Sequence, residues 1–264
     1  MRIDLFLIGL FWYNSSMEER FFKFSLLSKF PVIGGISTRH YGDMRFGRLP
    51  DEEIIKNRQH FFRSLGIRID DVVVARLEHG TKIATVGRAE RGRGAKDPKT
   101  AIQQTDGLLT SQKGIYLMVT VADCLPIMVY DPVMDTVGVF HAGWRGIINQ
   151  ISSEIIEKFK NLGSEPANLI VTIGPGICQK HFVVKDEVLD KFKESYPKAT
   201  LVRNQHGYVD LKKAVTSDFK KLGISKNNLE VSSDCPSCQN GIYGSFRKEG
   251  ASVPASAAII GMRK

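Results

Sequence analysis

Short apolar runs in the middle of the chain predict a group of buried strands. These runs are Ile115–Val121, Pro126–Tyr130 and Thr136–Phe140, and all three contain several β-branched residues. Continuous apolar runs of this length are typical of strands that are covered on both faces. The segment Asp131–Asp135 contains a proline and separates the last two runs, which predicts a turn and therefore an antiparallel hairpin.

Helical periodicity follows directly after this hairpin. The segment from about Trp144 to Leu162 has an apolar residue at every third or fourth position and is followed by Gly163, which predicts one continuous helix. Asp51 is predicted to cap an earlier helix whose apolar face includes Ile54 and Phe61. The other predicted elements are helices near Lys185–Ser195 and Leu211–Leu222, and strands at Val72–Arg76, Ile83–Val86, Leu169–Ile173, Leu229–Ser232 and Ala257–Met262. This order predicts a mixed α/β (α+β) fold, in which helices cover a largely buried sheet or pair of sheets.

The chain is predicted to form a single domain that extends over residues 17–264, because this range contains no internal repeat, low-complexity tract or interdomain linker. Residues 1–16 are expected to be an N-terminal extension or an edge strand. Their apolar stretch, Ile3–Tyr13, is much shorter than the roughly 20 residues that a membrane span requires. It also lacks the cleavage site of a signal peptide. Met17 is an alternative translation start.

Composition limits the classes of partner. The hydrophobic share of 42% and the charged share of 25% are those of an ordinary globular protein. A net charge of +9 favours anionic partners, but the positive residues are spread along the chain and form no nucleic-acid motif. We therefore expect neither nucleic acid nor membrane as a partner. Four cysteines are too few for a disulfide scaffold, which favours a reducing, cytoplasmic location.

Three residues of metal-binding type lie at the ends of predicted strands. Cys124 precedes the first strand of the hairpin and His141 follows the second, so antiparallel pairing places both at the same end of the sheet. His79 comes from another connecting segment, where Gly80 permits close approach of the backbone. One thiolate and two imidazoles suit Zn²⁺ and leave a fourth position for water or substrate. Two alternatives stay open: buried packing of these residues, or Cys124 as a nucleophile with His141 as its base.

The residues around these three resemble the laccase-domain family. The strongest similarity is in the runs ADCLPIMVYDP and VGVFHAGWRG, which contain Cys124 and His141. Weaker similarities lie at Gly34–Ser37, Asn57-Arg58, Leu77–Gly80, Thr105–Gly107, Ile173–Pro175 and Ser245–Arg247, so the resemblance extends over nearly the whole chain. This family is also called the multicopper polyphenol oxidase or peptidoglycan-editing-factor family, and its members are interpreted as zinc-dependent purine nucleoside phosphorylases.

The resemblance implies a metal, a reaction and small-molecule partners. It makes His79, Cys124 and His141 the ligands of Zn²⁺, with copper as the alternative metal. It implies phosphorolysis of adenosine, inosine, guanosine or S-methyl-5′-thioadenosine to the free base and ribose 1-phosphate, with adenosine deamination as a side activity. The Gln-Val that precedes the first ligand in the family is Leu77-Glu78 here, which places an acid beside the metal. We expect a monomer or a small homo-oligomer.

Phosphate and proton transfer are assigned to residues near these motifs. Arginine binds phosphate through two parallel hydrogen bonds. The predicted phosphate contacts are Arg58 first, followed by Ser37, Arg145 and Arg247. Asp123 is predicted to be catalytic together with the three metal ligands, because a carboxylate beside the metal can move a proton. The structural alternatives are ion pairs for the arginines and a turn hydrogen bond for Asp123.

Two other functions remain open at the level of sequence. A copper oxidase of phenols needs several coppers and many histidines, and a total of six histidines argues against it. A peptidoglycan-editing factor acting by cysteine-dependent hydrolysis would use Cys124 as its nucleophile.

The motif Cys235-Pro236-Ser237-Cys238 stands apart from the predicted site. A zinc ribbon requires a second pair of ligands, and Cys178 alone does not supply one, so we expect neither a redox nor a metal role for this motif. The four histidines outside the predicted site are unassigned: His40, His60, His181 and His206.

Overall fold

The computed structural model describes residues 21–264, so the expectations for residues 1–16 lie outside the described part of the chain. The helices are α1 (Asp51–Ser64), α2 (Trp144–Ile148), α3 (Ile151–Lys160), α4 (Asp186–Ser195), α5 (Leu211–Lys221) and α6 (Phe246–Glu249). The strands are β1 (Phe21–Phe22), β2 (Val32–Ser37), β3 (Val72–Val74), β4 (Ile83–Thr85), β5 (Gly107–Thr110), β6 (Tyr116–Val121), β7 (Leu125–Asp131), β8 (Thr136–Ala142), β9 (Ile170–Ile173), β10 (Val183–Val184), β11 (Thr200–Arg203), β12 (His206–Val209), β13 (Leu229–Val231) and β14 (Ser256–Met262). Within this range no helix is long and apolar enough to cross a bilayer.

Two large sheets form the centre of the molecule. One has five strands in the order β1-β2-β14-β6-β3, and the other has six in the order β13-β9-β7-β8-β5-β4. Apolar residues of both sheets pack together in one cluster, whereas the outer face of the six-stranded sheet packs against α2, α3, α4 and α5. Helix α1 covers the outer face of the five-stranded sheet. The predicted mixed α/β class, with helices over a pair of sheets, is therefore confirmed, and a third sheet (β10-β12-β11) packs against α4.

The predicted hairpin is confirmed as β7 and β8. These strands pair antiparallel, with Leu125 opposite Ala142 and Pro126 opposite His141. Alternate residues of β7 point to opposite cores, since Met128 lies between the two sheets and Ile127 packs beneath the helices. Burial of both faces explains why these strands have continuous apolar sequences.

The predicted continuous helix from Trp144 to Leu162 is wrong, because the helix is interrupted between α2 and α3. Gln150 has φ 63°, in the left-handed region, and its side-chain amide donates to the Tyr196 hydroxyl at 3.0 Å. Both short helices pack on the same core, so the apolar spacing continues across the break and does not reveal it. Asp51 is the first residue of α1 rather than its cap, which is Pro50.

The strand pairing beside His141 depends on a small residue. Gly107 on β5 is paired with Phe140 on β8. A Cβ atom at Gly107 would lie 2.3 Å from Cδ1 of the fully buried Phe140 ring, and one at Gly138 would lie 2.4 Å from Cζ of the same ring. The ring therefore occupies the space that two side chains would otherwise fill, next to a predicted metal ligand.

We expect Gly107→Ala to destabilise the protein, because the Phe140 ring cannot move aside in a packed core. The loss in free energy of unfolding should be about 1–3 kcal/mol, measured by urea denaturation. The matched control is Gly241→Ala, whose Cβ would have no atom within 4 Å. It should change stability by less than about 0.5 kcal/mol. Equal stability of the two variants would contradict the packing described for β5 and β8.

Candidate metal centre

His79, Cys124 and His141 meet at the end of the β7–β8 hairpin, and their potential ligand atoms all lie within 4.8 Å of one another. Cys124 directly precedes β7, and His141 lies near the end of β8. His79 belongs to the loop between β3 and β4, and its ring stands almost perpendicular to that of His141, with 4.7 Å between centroids. The structure thus brings together the three residues that the sequence suggested as ligands, and their binding of a metal stays a prediction.

Asp106 connects the two histidines, and the sequence analysis gave it no role. Its Oδ1 accepts hydrogen bonds from the His141 ring Nδ1 at 3.0 Å and from the His79 amide at 2.8 Å. Its Oδ2 accepts from the Gly80 amide at 2.7 Å. The His141 amide also donates to the Asp106 carbonyl at 2.7 Å. A carboxylate bonded to one ring nitrogen of a metal-binding histidine orients the other nitrogen toward the metal. The available signal was the motif Thr105-Asp106-Gly107 itself.

The interactions among Cys124, His141 and Asp106 favour a thiolate at Cys124 and an imidazolium at His141. Burial alone would raise the pKa of Cys124, but the positive charge and hydrogen bond of His141 lower it to about 6. Burial likewise opposes the charge on His141, yet the neighbouring thiolate of Cys124 and the Asp106 carboxylate raise its pKa to about 9. Hydrogen bonds also keep the pKa of Asp106 below its ordinary value despite burial. A thiolate held this way is ready to bind a cation.

The donor set and the space in front of it fit a zinc ion. One thiolate and two imidazoles form a familiar three-ligand zinc set, with one position left for substrate or water. A Cβ at Gly143 would lie 3.2 Å from Cys124 Sγ, 3.4 Å from His79 Cδ2 and 3.5 Å from His141 Cε1. Glycine at this position therefore keeps the approach to all three side chains open.

Two residues of the centre have left-handed backbone conformations. His79 has φ 62° and Asp123 has φ 79°, which non-glycine residues seldom adopt. The amide bonds to Asp106 hold His79 in this conformation. Gly146 permits the same loop to approach α2, since a Cβ there would lie 2.7 Å from the Gly80 carbonyl oxygen. Backbone strain of this kind is often found at functional sites.

Asp123 is buried and precedes the predicted ligand Cys124 in the chain. Its Oδ2 accepts hydrogen bonds from the Arg247 amide at 2.7 Å and from the Ser245 hydroxyl at 3.1 Å. Its Oδ1 is also buried, and has no hydrogen-bond partner in the part of the chain that the structure describes. Burial raises the pKa of Asp123 despite the bond from Arg247. A buried carboxyl group with a raised pKa is a candidate for proton transfer, and the catalytic role of Asp123 stays a prediction.

Arg58 and Ser37, two of the predicted phosphate contacts, are parts of the scaffold. Arg58 is 2% exposed, and its guanidinium donates to the carbonyls of Met44, Gly94 and Ala95 at 2.7–3.0 Å. The guanidinium therefore has no pair of exposed donors for a phosphate, and the prediction that Arg58 is the first phosphate contact is corrected. Arg58 instead links the segment of Met44 to the segment of Gly94 and Ala95. Ser37 is fully buried, and its hydroxyl accepts a hydrogen bond from the backbone amide of Ala257, which joins β2 to β14.

Arg145 and Arg247 are exposed, and the backbone of each adjoins a segment that carries a predicted ligand. Arg145 follows His141 by four residues and stacks on the Trp144 ring, with Cζ 4.5 Å from the centroid. Arg247 donates to the Val183 carbonyl at 2.9 Å and lies over the Phe182 ring. Glu78, beside His79, is also exposed. These exposed groups are available to a ligand, and their roles as substrate contacts stay predictions.

A second group of metal-binding residues was missed by the sequence analysis. Cys178, His181, Cys235 and Cys238 also place their potential ligand atoms within 4.8 Å of one another. The expectation that the motif at 235–238 lacks a second pair is therefore wrong, because His181 completes one with Cys178. The signal in the sequence is the spacing of Cys178 and His181, which equals that of Cys235 and Cys238.

Comparison with known proteins identifies the relatives of this chain. The family described as multi-copper polyphenol oxidoreductase laccase matches residues 31–263. The purine nucleoside phosphorylase YlmD of Bacillus subtilis is 29% identical over 239 residues, which cover 88% of this chain and 86% of that protein. The adenosine deaminase RL5 of an unknown prokaryotic organism is 31% identical over 191 residues, or 70% and 73% of the two chains. The crystal structure of YlmD from Geobacillus stearothermophilus superposes with a TM-score of 0.85 at 28% identity, covering 89% of this chain and 93% of the other.

We expect Asp106→Asn to weaken zinc binding by roughly 10–100-fold, because the neutral amide no longer fixes the ring of His141. The measurement is a competition titration with a chromogenic chelator. The control is Asp190→Asn, which removes an exposed carboxylate on α4 and should leave the affinity unchanged. Equal zinc affinity of the Asp106→Asn variant and the parent protein would contradict the orienting role of Asp106.

Proposed function

Because the chain belongs to the multi-copper polyphenol oxidoreductase laccase family, we propose that it is a zinc-dependent purine nucleoside phosphorylase. Its substrates are adenosine, inosine, guanosine or S-methyl-5′-thioadenosine, cleaved by phosphate to the free base and ribose 1-phosphate. The observation that carries the proposal is the convergence of His79, Cys124 and His141, together with the buried carboxylate of Asp123, the residue that precedes Cys124 in the chain.

The names of the relatives support chemistry on nucleosides. One relative is named for phosphorolysis and another for adenosine deamination, each at about 30% identity. We propose adenosine deamination as a side activity of the same centre. In both reactions bond cleavage leaves charge on the departing group, so a site that stabilises such charge can support either.

Each residue of the centre has a defined task in this proposal. His79, Cys124 and His141 would hold Zn²⁺, which when bound acts as a Lewis acid with one coordination position open to a ligand. Asp106 orients His141 and the loop of His79. Asp123 holds or releases a proton through Oδ1 while Oδ2 remains bonded to the Arg247 amide and the Ser245 hydroxyl. The glycine at 143 leaves room for the substrate.

Phosphate is proposed to bind through the exposed arginines. Arg145 is attached to the first turn of α2, directly after the strand that bears His141. The amide of Arg247 is already bonded to Asp123. The backbones of both residues thus adjoin segments that carry predicted ligands, and we propose that their exposed guanidinium groups pair with phosphate in a planar, two-pronged contact.

Oxidation of phenols is the weaker proposal, despite the name of the family. A laccase requires several coppers with mainly histidine ligands. All six histidines are in the described residues, yet the centre uses only His79 and His141, and His181 lies in the other group. His40 and His60 stack against each other and against Tyr41. This distribution supplies too few imidazoles for a cluster of coppers.

A cysteine hydrolase is the second candidate, and one observation favours it. Cys124, His141 and Asp106 form a relay in which the carboxylate orients an imidazole beside a thiolate. This is also the arrangement of a cysteine nucleophile with its base and orienting acid. His79 distinguishes the two interpretations, because it adds a third ligand to a metal but has no task in the relay.

We expect base release from purine nucleosides to require phosphate and to yield ribose 1-phosphate, which chromatography detects. Arg145→Ala should raise the KM for phosphate roughly tenfold or more, because a charge-assisted hydrogen bond contributes about 1.5–3 kcal/mol. Its zinc content should stay unchanged. The matched control is Arg203→Ala, an exposed arginine on β11, which should leave KM unchanged. Release of free ribose, independent of phosphate, would contradict phosphorolysis.

Alkylation separates the phosphorylase from the hydrolase. As a metal ligand, Cys124 is shielded, so iodoacetamide should modify its peptide much faster in chelated protein than in zinc-loaded protein. Mass spectrometry of the peptide reads Cys124 separately from the other three cysteines. Zinc returned before alkylation should restore nucleoside cleavage. Rapid modification of Cys124 in zinc-loaded protein, with activity indifferent to chelators, would support the hydrolase instead.

A further inference from the structure

The four side chains of Cys178, His181, Cys235 and Cys238 converge at a point separate from the three-ligand centre. We propose that they form a second, structural zinc site, which holds the loop after β9 to the loop after β13. The proposal rests on the geometry of this group alone and is independent of the reaction catalysed at the other centre.

Four of the six distances between the ligand atoms have the lengths of edges of a tetrahedron around one ion. His181 Nδ1 lies 3.4 Å from Cys178 Sγ, 3.7 Å from Cys235 Sγ and 3.4 Å from Cys238 Sγ. Cys178 Sγ and Cys238 Sγ are 3.9 Å apart. With zinc at its usual distances from sulfur and nitrogen, the edges of a tetrahedron are about 3.6 Å between N and S and about 3.8 Å between two S atoms. The observed edges match these values.

Hydrogen bonding alone does not account for the arrangement. A neutral imidazole has one donor or one acceptor at Nδ1, so this nitrogen cannot satisfy three sulfur atoms at once. A disulfide between Cys178 and Cys238 requires sulfur atoms about 2.05 Å apart. It would also leave His181 and Cys235 without a purpose in the group. A single cation satisfies all four residues together.

The backbone holds each ligand pair in a turn. The His181 amide donates to the Cys178 carbonyl at 3.0 Å, and the Gln239 amide donates to the Cys235 carbonyl at 2.9 Å. The two members of each pair are three residues apart, the spacing found in structural zinc sites. The Cys178 amide also donates to Cys235 Sγ at 3.3 Å, which stabilises a thiolate and joins the two turns.

Four protein ligands complete a tetrahedral shell and leave no position for a substrate. The site therefore has a structural role, and the contacts around it indicate what it stabilises. The Ile177 amide donates to the Asp123 carbonyl at 2.9 Å, and the Gly176 amide donates to the Asp234 carbonyl at 3.2 Å. The chain after Cys238 continues to Arg247, whose amide binds the Asp123 carboxylate. Both segments joined by the second zinc thus contact the turn that carries Asp123.

The test counts metal in protein purified under reducing conditions without added metal. We expect about two zinc ions per chain in the parent protein, about one in Cys238→Ala, about one in Cys124→Ala and almost none in the double variant. His206→Asn, which changes an exposed histidine outside both groups, is the control and should keep both ions. Unchanged zinc content on going from Cys124→Ala to the double variant would overturn the proposal, whatever the activity assays show.

Cobalt tests the same group through its absorption spectrum, first with all four residues in place. In the Cys124→Ala protein, Co²⁺ alone should produce intense thiolate-to-cobalt charge-transfer absorption together with the visible bands of tetrahedral coordination. Both signals should disappear on Cys238→Ala, and removal of the metal should lower the melting temperature. Absence of these bands in folded Cys124→Ala protein, or a Cys178–Cys238 disulfide in the parent protein under reducing conditions, would overturn the proposal.

Discussion

The candidate metal centre depends on one carboxylate, Asp106, which fixes two predicted ligands that are far apart in the sequence. Its carboxylate accepts hydrogen bonds from the ring Nδ1 of His141 and from the three consecutive backbone amides of Glu78, His79 and Gly80. The bonds to these amides force the loop into the left-handed conformation seen at His79. Asp106 is held in turn by backbone bonds to Lys82 and His141, so the strands β4, β5 and β8 position the carboxylate. Strand pairing in the six-stranded sheet therefore fixes the positions of His79 and His141 relative to each other.

Much of this arrangement could be predicted because the central strands are buried on both faces. The apolar runs located β7 and β8, and antiparallel pairing then placed Cys124 close to His141. Strands with weaker signals were not predicted: β2 contains two glycines, and β11 is exposed at three of its four positions. Periodicity also could not reveal the break at Gln150, because the helices on both sides pack on one core.

Residues that depend on tertiary contacts were the least predictable. Arg58 has the sequence context of a phosphate ligand, but only the fold shows that its donors are used by the carbonyls of Met44, Gly94 and Ala95. His181 lies three residues after Cys178, but the other two members of its group, Cys235 and Cys238, lie more than fifty residues away. Asp106 was visible only as part of a motif. In each case the side chain acts through a distant segment, which local patterns do not identify.

The Phe140 ring has a consequence for how this sequence can change over time. Its ring fills the volume above Gly107 and Gly138, so these three positions share one packing space. Alanine at either glycine becomes acceptable only after the ring is replaced by something smaller, and a smaller residue alone leaves a cavity. Because His141 follows Phe140 directly, each intermediate also disturbs a predicted metal ligand. The three positions should therefore covary as a unit among descendants of this chain, with single replacements rare.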